Sequence, residues 1–417
     1  MIPNQQINWW SKLEMIIDNS FVFAVCGGKE HTDTLKIALE FLTERTVLPI
    51  FIVTDNRRNE EKVEGDRLID TQTPIELSNH EAAIWLKTSL HRILPKGRKY
   101  MYLDTDVLAI GNNIDSVFDE FIPPIIFAAD HCKMMQFSPY ALNCNCLAEV
   151  QEYRKKINSL MNEADPLRTS NNVEIIEKRK RLEGFYKQLH DNFLLKVFAT
   201  IRYIVSGRNF KLYPDILFDR KEKIWKTPEG DFIMKSLDMT AICKAAGLKW
   251  NKLKLEPQLP DGRNIWQDHC SHLQDNIHKV FDIQITQKNW QHWNGGVFLF
   301  SDESYDFLET WHQYTLQIFK DSKWKTRDQG TLIATVWKFS LQNQAMLHPR
   351  WNCIADYHNK ALEIGSNGKE ITLNGKDFFM PQFIHIYHHF GDETWNIWNW
   401  TIKHSKFSNA VSNEFTT

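Results

Sequence analysis

The chain has 417 residues, more than the roughly 100–200 of a typical domain, so we expect one large domain with an insertion or two domains. Hydrophobic residues make up 42% and charged residues 24%, which excludes a disordered or fibrous chain. Fifty Lys and Arg against 52 Asp and Glu give a formal net charge of −2. Such a balance creates no overall electrostatic field that would attract nucleic acid, so we expect no nucleic-acid partner.

The predicted location follows from cysteine usage and from hydropathy. The seven cysteines form no CxxC pair, a pattern typical of reduced thiols. The first twenty residues lack a basic segment followed by an apolar one, and no stretch reaches the ~18 apolar residues that cross a bilayer. We therefore expect a cytoplasmic protein without a transmembrane segment. Mixed charges and aromatic residues within 144–290 permit contact with a membrane surface but do not require it.

Strand-like and helix-like segments alternate in the first third of the chain. In order, the pattern predicts a buried strand at 21–28, a helix capped by Thr32 or Asp33, a strand at 47–56, a helix at 78–95 capped by Ser78 or Asn79, and a strand at 99–110. This order indicates an α/β fold in which helices pack on a mixed, mostly parallel sheet. Ligands bind at the carboxyl ends of the strands in such folds.

The pattern changes after about residue 143. Residues 144–290 begin with charge-rich helical segments, broken near Pro166 and Asn171, and we interpret them as a large, mainly helical insertion. Residues 291–417 return to strand and helix patterns. The predicted domain organisation is therefore a first part at 1–143, an insertion at 144–290 and a last part at 291–417.

The strongest local signal is the pair Asp104 and Asp106 in the segment YLDTD, at the end of a predicted buried strand. Side chains two residues apart share one face of a strand, and burying two carboxylates together is unfavourable. A divalent cation resolves this conflict, and oxygen ligands suit Mg²⁺ or Mn²⁺. The alternative for an isolated DxD is two solvated turn aspartates.

Five segments together resemble GT-A-type glycosyltransferases, especially the glycogenin-like and lipopolysaccharide-galactosyltransferase-like family 8. The first, HRILPKGRKYMYLDTDVLAIGNNIDSVFD, is similar to the DxD region of that family. The other four occur in the family's order. Its Asn-x-Gly strand start is similar to Trp293-Asn294-Gly295-Gly296-Val297-Phe298, and its Asp-Gln helix start to Asp328-Gln329. Its Trp-Asn turn is similar to His348-Pro349-Arg350-Trp351-Asn352, and its closing HxxGxxKPW motif to His388 to Trp395.

The sequence also departs from the family pattern. The closing segment HHFGDETW lacks the lysine and the proline of the motif and is one residue short before Trp395. The lysine that would contact the donor diphosphate is therefore missing at that place. The long insertion at 144–290 is not typical of the family either.

The resemblance implies a metal site. Asp106 would bind Mn²⁺ or Mg²⁺ directly, while Asp104 would contact the metal or the donor ribose. A histidine of the closing segment would be the third ligand, and imidazole favours Mn²⁺. His388 fits the HxxG spacing, but His385 and His389 are alternatives because the register is open.

The resemblance also implies donor, acceptor and catalytic residues. The donor would contact six further positions, together with the metal-binding aspartates: Cys26, Gly27, Gly28, Asp55, Lys87 and Thr105 beside Asp104 and Asp106. Residues 1–143 would thus be the nucleotide-sugar-binding half of the domain and 291–417 its acceptor and metal half, with an insertion at 144–290 that can shape an acceptor site. The acceptor would lie against Asn294, Gly295, Gly296 and Trp351, and Asp328 and Gln329 would lie near the anomeric carbon. Each has a structural alternative: a glycine turn, a turn aspartate, a solvated lysine, a helix cap or a core tryptophan.

These implications predict a metal-dependent glycosyltransferase, a hexosyltransferase that uses a nucleotide-diphosphate sugar. UDP is the favoured nucleotide, a glycan or another hydroxyl compound is the acceptor, and the anomeric configuration would be retained. One alternative is a nucleotidyltransferase, which would have a glycine-rich basic loop after the first strand; CGGKEH is only a thin version of it. The other alternative is a non-catalytic binding protein with the GT-A fold.

Overall fold

The computed structural model describes residues 18–165, 172–207 and 209–404. The start of the chain and the predicted helix break near Pro166 and Asn171 lie outside these ranges. The chain divides into two units, the first up to Asn143 and again from Ser271, the second from Cys144 to Cys270. The second unit thus begins where we expected the insertion to begin, and it ends before residue 290.

A six-stranded sheet forms the centre of the first unit, in the order β3-β2-β1-β4-β13-β6. Its strands are β1 Asn19–Val25, β2 Ile50–Thr54, β3 Leu68–Asp70, β4 Lys99–Leu103, β6 Ile125–Lys133 and β13 Gln291–Phe300. The pairs β1–β2, β1–β4 and β2–β3 are parallel, whereas β13 runs antiparallel to both β4 and β6. Five strands therefore run one way and β13 runs the other.

Both faces of this sheet are covered, which explains the uninterrupted apolar runs of its strands. Phe21 and Phe23 of β1 are fully buried in the apolar cluster on one face, together with Leu35. Val22, which points the opposite way, is fully buried in the cluster on the other face with Leu86. A strand buried on both faces has no need of polar alternation.

Helices of the first unit pack on this sheet or lie beside it. They are α1 Lys29–Thr43, α2 Asn79–Thr88, α3 Leu90–Ile93, α4 Met134–Ala141, α9 His272–Phe281, α10 Tyr305–Ile318 and α11 Arg327–Lys338, with 3₁₀ turns at Ile114–Glu120, Asp302–Ser304 and Pro349–Trp351 and a final helical stretch at 396–404. Ser78 is the N-cap residue of α2 and forms a capping box with Glu81. It is one of the two residues predicted to cap this helix.

The strand predicted at 99–110 is two strands in the structure. β4 ends at Leu103, the chain turns at the DTD segment, and β5 Val107–Ala109 joins a second sheet of order β14-β18-β5. The remaining strands of the first unit are β14 Cys353–Ile354, β15 Glu363–Ile364, β16 Ile371–Thr372, β17 Phe378–Phe379 and β18 Phe383–His385. Both strands are apolar and buried, so the sequence pattern does not reveal that the chain changes from one sheet to the other.

The second unit contains helices and strands. Its helices are α5 Cys146–Ala164, α6 Val173–Asp191, α7 Phe193–Val205 and α8 Met239–Ala246, and its strands are β7 Asn209–Tyr213, β8 Ile216–Asp219, β9 Ile224–Lys226, β10 Phe232–Lys235, β11 Lys249–Asn251 and β12 Glu256–Gln258. The strands form a four-stranded and a two-stranded sheet. Its apolar residues gather in clusters of their own.

The predicted fold class is confirmed: an α/β fold with a mixed, mostly parallel central sheet flanked by helices. Among the described helices, none has the length and apolar character that crossing a bilayer requires.

Candidate functional site

Four strands of the central sheet bring polar residues to one edge. β1, β2 and β4 are parallel, and they end next to Cys26, Asp55 and Asp104 respectively. β13 runs the other way, so its first half reaches the same edge. The backbone N–H of Asp104 donates to the carbonyl of Gly296 over 2.8 Å. The edge predicted from the sequence to bind ligand therefore collects the candidate residues.

Asp104, Asp106 and His385 form a group whose possible ligand atoms all lie within 4.8 Å of one another. Nε2 of His385 lies 3.2 Å from Oδ1 of Asp106. This Oδ1 is buried, and its partner is the imidazole of His385. Two carboxylates that converge on one imidazole form a ligand set suited to a cation.

Charge stabilises this group as an ion pair. Burial favours the neutral acid, but the adjacent His385 imidazole outweighs it and lowers the pKa of Asp106. Burial likewise opposes the imidazolium, and Asp106 outweighs it and raises the pKa of His385. A bound cation would take the place of the imidazolium proton, because a ligating imidazole is neutral.

The three candidate histidines lie in different surroundings. His385 ends β18 and is only 4% exposed, beside the aspartates. The ring of His388 lies 4.1 Å from that of Tyr387. Nδ1 of His389 lies 3.0 Å from Oδ2 of Asp392, and its ring stacks on Tyr357. Among the three, the structure brings His385 to the DxD carboxylates.

Gly296 leaves room beside the same group. A Cβ built on this glycine would lie 2.6 Å from Oδ2 of Asp104 and 2.8 Å from Cε1 of His385. The pairing of β13 with β6 is irregular between Asn294 and Phe298, a bulge of the kind common next to active sites. Two carboxylates, an imidazole and this open backbone fit a divalent cation.

Lys87 links the DxD segment to the start of α11. Its Nζ lies 3.3 Å from Oδ1 of Asp104 and 3.1 Å from Oδ2 of Asp328. Burial opposes the charge on Lys87, but the two carboxylates outweigh it and raise its pKa. Burial also opposes ionisation of Asp328, and Lys87 outweighs it and lowers the pKa of that carboxyl. Lys87 and Asp328 are therefore both charged at neutral pH.

Gln329 is held in a hydrogen-bond network. Its Oε1 accepts from the backbone N–H of Gly295 at 2.6 Å. Its Nε2 donates to Oδ2 of Asp130 at 3.3 Å and to the carbonyl of Trp293 at 3.2 Å. The amide of Gln329 therefore fixes the beginning of β13 against the end of β6.

Asp130 is a second acidic centre near the site. Nδ2 of Asn294 donates to its Oδ2 at 3.1 Å, and Nε2 of His292 lies 3.4 Å from its Oδ1. Burial favours its neutral acid, but the histidines outweigh it and lower the pKa of Asp130. With Cys132 and His292 it forms another group of possible ligand atoms within 4.8 Å.

Asn352 connects the two acidic centres. Its Oδ1 lies 3.1 Å from Nδ1 of His385, and its Nδ2 donates to Oδ1 of Asn294 at 3.2 Å. A bond at Nδ1 fixes the imidazole so that Nε2 faces Asp106. Four of the five family-like segments thus meet in one polar network, through Asp104, Asn294, Gln329 and Asn352.

The predicted nucleoside-binding residues lie at the ends of β1 and β2. Gly27 has a φ of +116°, which favours glycine, and its N–H donates to Oδ1 of Asn59 at 3.0 Å. Gly28 precedes α1 as its N-cap residue. Burial raises the pKa of Cys26 to about 11, so this thiol is neutral.

Asp55 is fully buried and bound by protein groups. Arg57 donates to it from Nε at 2.9 Å and from Nη2 at 2.8 Å. Thr73 donates to it from its backbone N–H at 2.8 Å and from its hydroxyl at 2.7 Å. The carboxylate therefore holds two loops of the first unit together, and its contact with the donor stays a sequence prediction.

The last two predicted site residues are Trp351 and Thr105. Trp351 is 1% exposed, with its ring 6.4 Å from that of Phe383 in the core. Thr105 is half-buried between the two aspartates.

Two residues of the network were not predicted as site residues. Asn352 follows Trp351 in the family-like Trp-Asn pair, and that pair was the available signal. Asp130 follows the apolar run IIFAA, so it ends a buried stretch just as Asp104 does. That second signal could have been read from the sequence.

Comparisons with known proteins complete the description. No protein-family model matches the chain, and no curated protein sequence matches it. Among solved structures, the chain is similar to mouse xyloside xylosyltransferase 1 in its apo form, at 10% sequence identity and a TM-score of 0.36. This alignment covers 89% of the present chain and 98% of that one.

Proposed function

We propose that the chain is a metal-dependent glycosyltransferase that moves a hexose from a nucleotide-diphosphate sugar, with UDP as the favoured nucleotide, to a hydroxyl of a glycan or another acceptor. The single observation that carries the proposal is the meeting of Asp104, Asp106 and His385, whose possible ligand atoms all lie within 4.8 Å of one another. The five family-like segments, read from the sequence, supply the reaction class.

The proposed metal ligands are Asp106, Asp104 and His385, with Mn²⁺ as the favoured ion. When bound, a divalent cation stabilises the charge of a departing diphosphate, so a strong general acid is not needed. Gly296 keeps the approach to these ligands open, and Asn352 orients the imidazole.

Lys87 supports the same chemistry. Its ammonium group adds a permanent positive charge next to Asp104, on the side where the leaving diphosphate would be. The closing segment lacks the family's lysine, so Lys87 is the cation that this chain offers for that purpose.

Within the Asp328–Gln329 pair, we assign the reactive role to Asp328. The amide of Gln329 is engaged by Gly295, Asp130 and Trp293 and so acts as a positioning group. Asp328 is ionised by its pairing with Lys87, and a carboxylate can stabilise or attack an anomeric centre. This assignment accords with a retaining reaction.

The test is a Mn²⁺-dependent assay of UDP release from a panel of UDP-sugars. We expect Asp106→Asn to lose activity by on the order of 100-fold, because a metal ligand is removed. The matched control is Asp66→Asn, at an exposed aspartate, and it should keep wild-type activity. Thermal melting checks that both variants are folded.

Other outcomes identify the alternatives. Release of pyrophosphate from UTP in the presence of a sugar 1-phosphate, without UDP-sugar turnover, would indicate a nucleotidyltransferase. Metal-dependent binding of UDP without any turnover would indicate a binding protein. Equal activity of Asp106→Asn and the wild-type protein would refute the metal-dependent mechanism.

A further inference from the structure

A cluster of three cysteines lies in the second unit, and none of the three is a residue of the proposed reaction. Cys144, Cys146 and Cys270 place their sulfur atoms within 4.8 Å of one another, and Sγ of Cys144 lies 4.0 Å from Sγ of Cys270. Cys146 and Cys270 are buried, while Cys144 is half-buried. All seven cysteines of the chain are thiols in the structure.

The spacing of these sulfurs matches a shared metal ion. In a tetrahedral site with Zn–S bonds of about 2.3 Å, two sulfurs lie roughly 3.8 Å apart. The Cys144–Cys270 distance of 4.0 Å is close to that edge. A disulfide would need a sulfur separation of about 2.05 Å and would leave the third thiol unused.

A bound cation would change the protonation state of Cys146. Burial, then the nearby Cys270 and Cys144, raise the pKa of Cys146 to about 12. The Cys146 thiol therefore stays protonated by itself. A coordinating divalent cation deprotonates thiols, and the resulting binding energy stabilises the fold that brings the ligands together.

The position of the cluster gives such an ion a structural task. Cys144 and Cys270 are the first and last residues of the second unit, and Cys146 is the first residue of α5. An ion bound by all three would join the two ends of the unit and the start of its first helix. Constraints that close long loops stabilise a fold through the entropy of the unfolded chain.

We propose that Cys144, Cys146 and Cys270 bind a structural zinc ion that closes the second unit at its two ends. In the sequence, His272 follows Cys270 by two positions, so an imidazole is available as a candidate fourth ligand. The site is separate from the proposed Mn²⁺ ligands, which are oxygen and imidazole groups.

The first test uses the reduced full chain and Co²⁺ as the probe. Thiolate ligands give a sulfur-to-cobalt charge-transfer band that oxygen and imidazole ligands do not, so the signal is independent of the DxD group. We expect the band in the wild-type protein, with one Co²⁺ per chain displaced by Zn²⁺. Cys146→Ser should weaken Co²⁺ binding at least about 10-fold.

The matched control is Cys243→Ser, since Cys243 is also a fully buried thiol of this unit but lies among apolar residues such as Val150 and Ile157. This variant should keep the full cobalt band. Cys144→Ser changes a half-buried position and guards against misfolding of Cys146→Ser; it too should weaken Co²⁺ binding.

A second measurement does not depend on variants. In the zinc-loaded protein, alkylation under native conditions followed by peptide mapping should find Cys144, Cys146 and Cys270 protected, and a chelator should expose them. The proposal is overturned if the reduced wild-type protein shows no charge-transfer band, if the band persists in both serine variants, or if mapping finds a Cys144–Cys270 disulfide in the protein as isolated. The zinc test does not use UDP-sugar turnover. A failure of the proposed glycosyltransferase activity would therefore leave the outcome of the zinc test unchanged.

Discussion

Nζ of Lys87 lies 3.1 Å from Oδ2 of Asp328, and both side chains are largely buried. The same nitrogen contacts Asp104, so one ammonium group neutralises two carboxylates from different elements of the fold. This bridge holds α2, the end of β4 and the start of α11 in one arrangement. It also places a positive charge next to the DxD segment.

Replacing Lys87 should destabilise the protein as well as impair turnover. We expect Lys87→Met to lower the free energy of unfolding by about 3 kcal/mol, because two buried carboxylates lose their counter-charge. Urea denaturation measures this. The control is Lys36→Met, which removes an exposed lysine paired with Asp33 and Glu61 and should cost much less stability. Equal losses in the two variants would contradict the bridge.

A methyl group at Gly296 should block the metal group without unfolding the chain. Because its Cβ would meet Asp104 and His385, we expect Gly296→Ala to weaken Mn²⁺ binding at least about 10-fold, as measured by calorimetry. Gly184→Ala is the control, since a Cβ there meets nothing within 4 Å. Unchanged Mn²⁺ affinity in Gly296→Ala would show that the ion binds elsewhere.

The identity of the third metal ligand can be decided by two variants. We expect His385→Ala to weaken Mn²⁺ binding at least about 10-fold, because the imidazole faces Asp106. We expect His388→Ala, which removes the histidine that fits the family spacing, to leave the affinity nearly unchanged. Calorimetric titration with Mn²⁺ compares them, and the reverse order of effects would assign the ligand to His388.

His312 should make stability depend on pH. It is fully buried, with Nδ1 2.8 Å from the hydroxyl of Thr88. Burial, then the charges of Arg92 and His91, lower its pKa from 6.5 to about 4, so the unfolded chain binds this proton more tightly. Its contribution is complete above pH 6.5 and is lost as the pH falls to about 4, by on the order of 3 kcal/mol.

The measurement is urea denaturation at several pH values between 4 and 7. The wild-type protein should lose stability across this range more steeply than His312→Asn, which keeps a hydrogen-bond acceptor for Thr88 but does not titrate. The comparison between the two proteins removes the contributions of other histidines. Parallel pH profiles would show that His312 does not titrate as expected.

The sequence predicted the central sheet well because its strands are buried on both faces. Apolar runs such as FVFAV and PIFIV are short and rich in β-branched and aromatic residues, and glycine or polar turn residues follow them. These features favour a buried strand over a buried helix. The break between β4 and β5 was not predictable, since β5 leaves the first sheet for a partner strand more than 270 residues further along the chain. Pairing over that distance has no local signal.

The site was predicted in outline, and its details depend on tertiary contacts. The spacing of Asp104 and Asp106 indicated a shared face, whereas the choice among three histidines depends on where β18 ends. Lys87 was identified by its position on a helix, but its two carboxylate partners are distant in sequence. Asp55 looked like a turn residue open to ligand, and its engagement by Thr73 comes from a separate loop.

The first unit brings together the two points at which its chain is interrupted. The backbone N–H of Leu273, just after the return at Ser271, donates to the hydroxyl of Ser138 at 2.9 Å, shortly before the exit at Asn143. Evolution can therefore gain, exchange or shorten the intervening segment without rewiring the sheet. A protein engineer could use the same junction to graft a different module onto this scaffold.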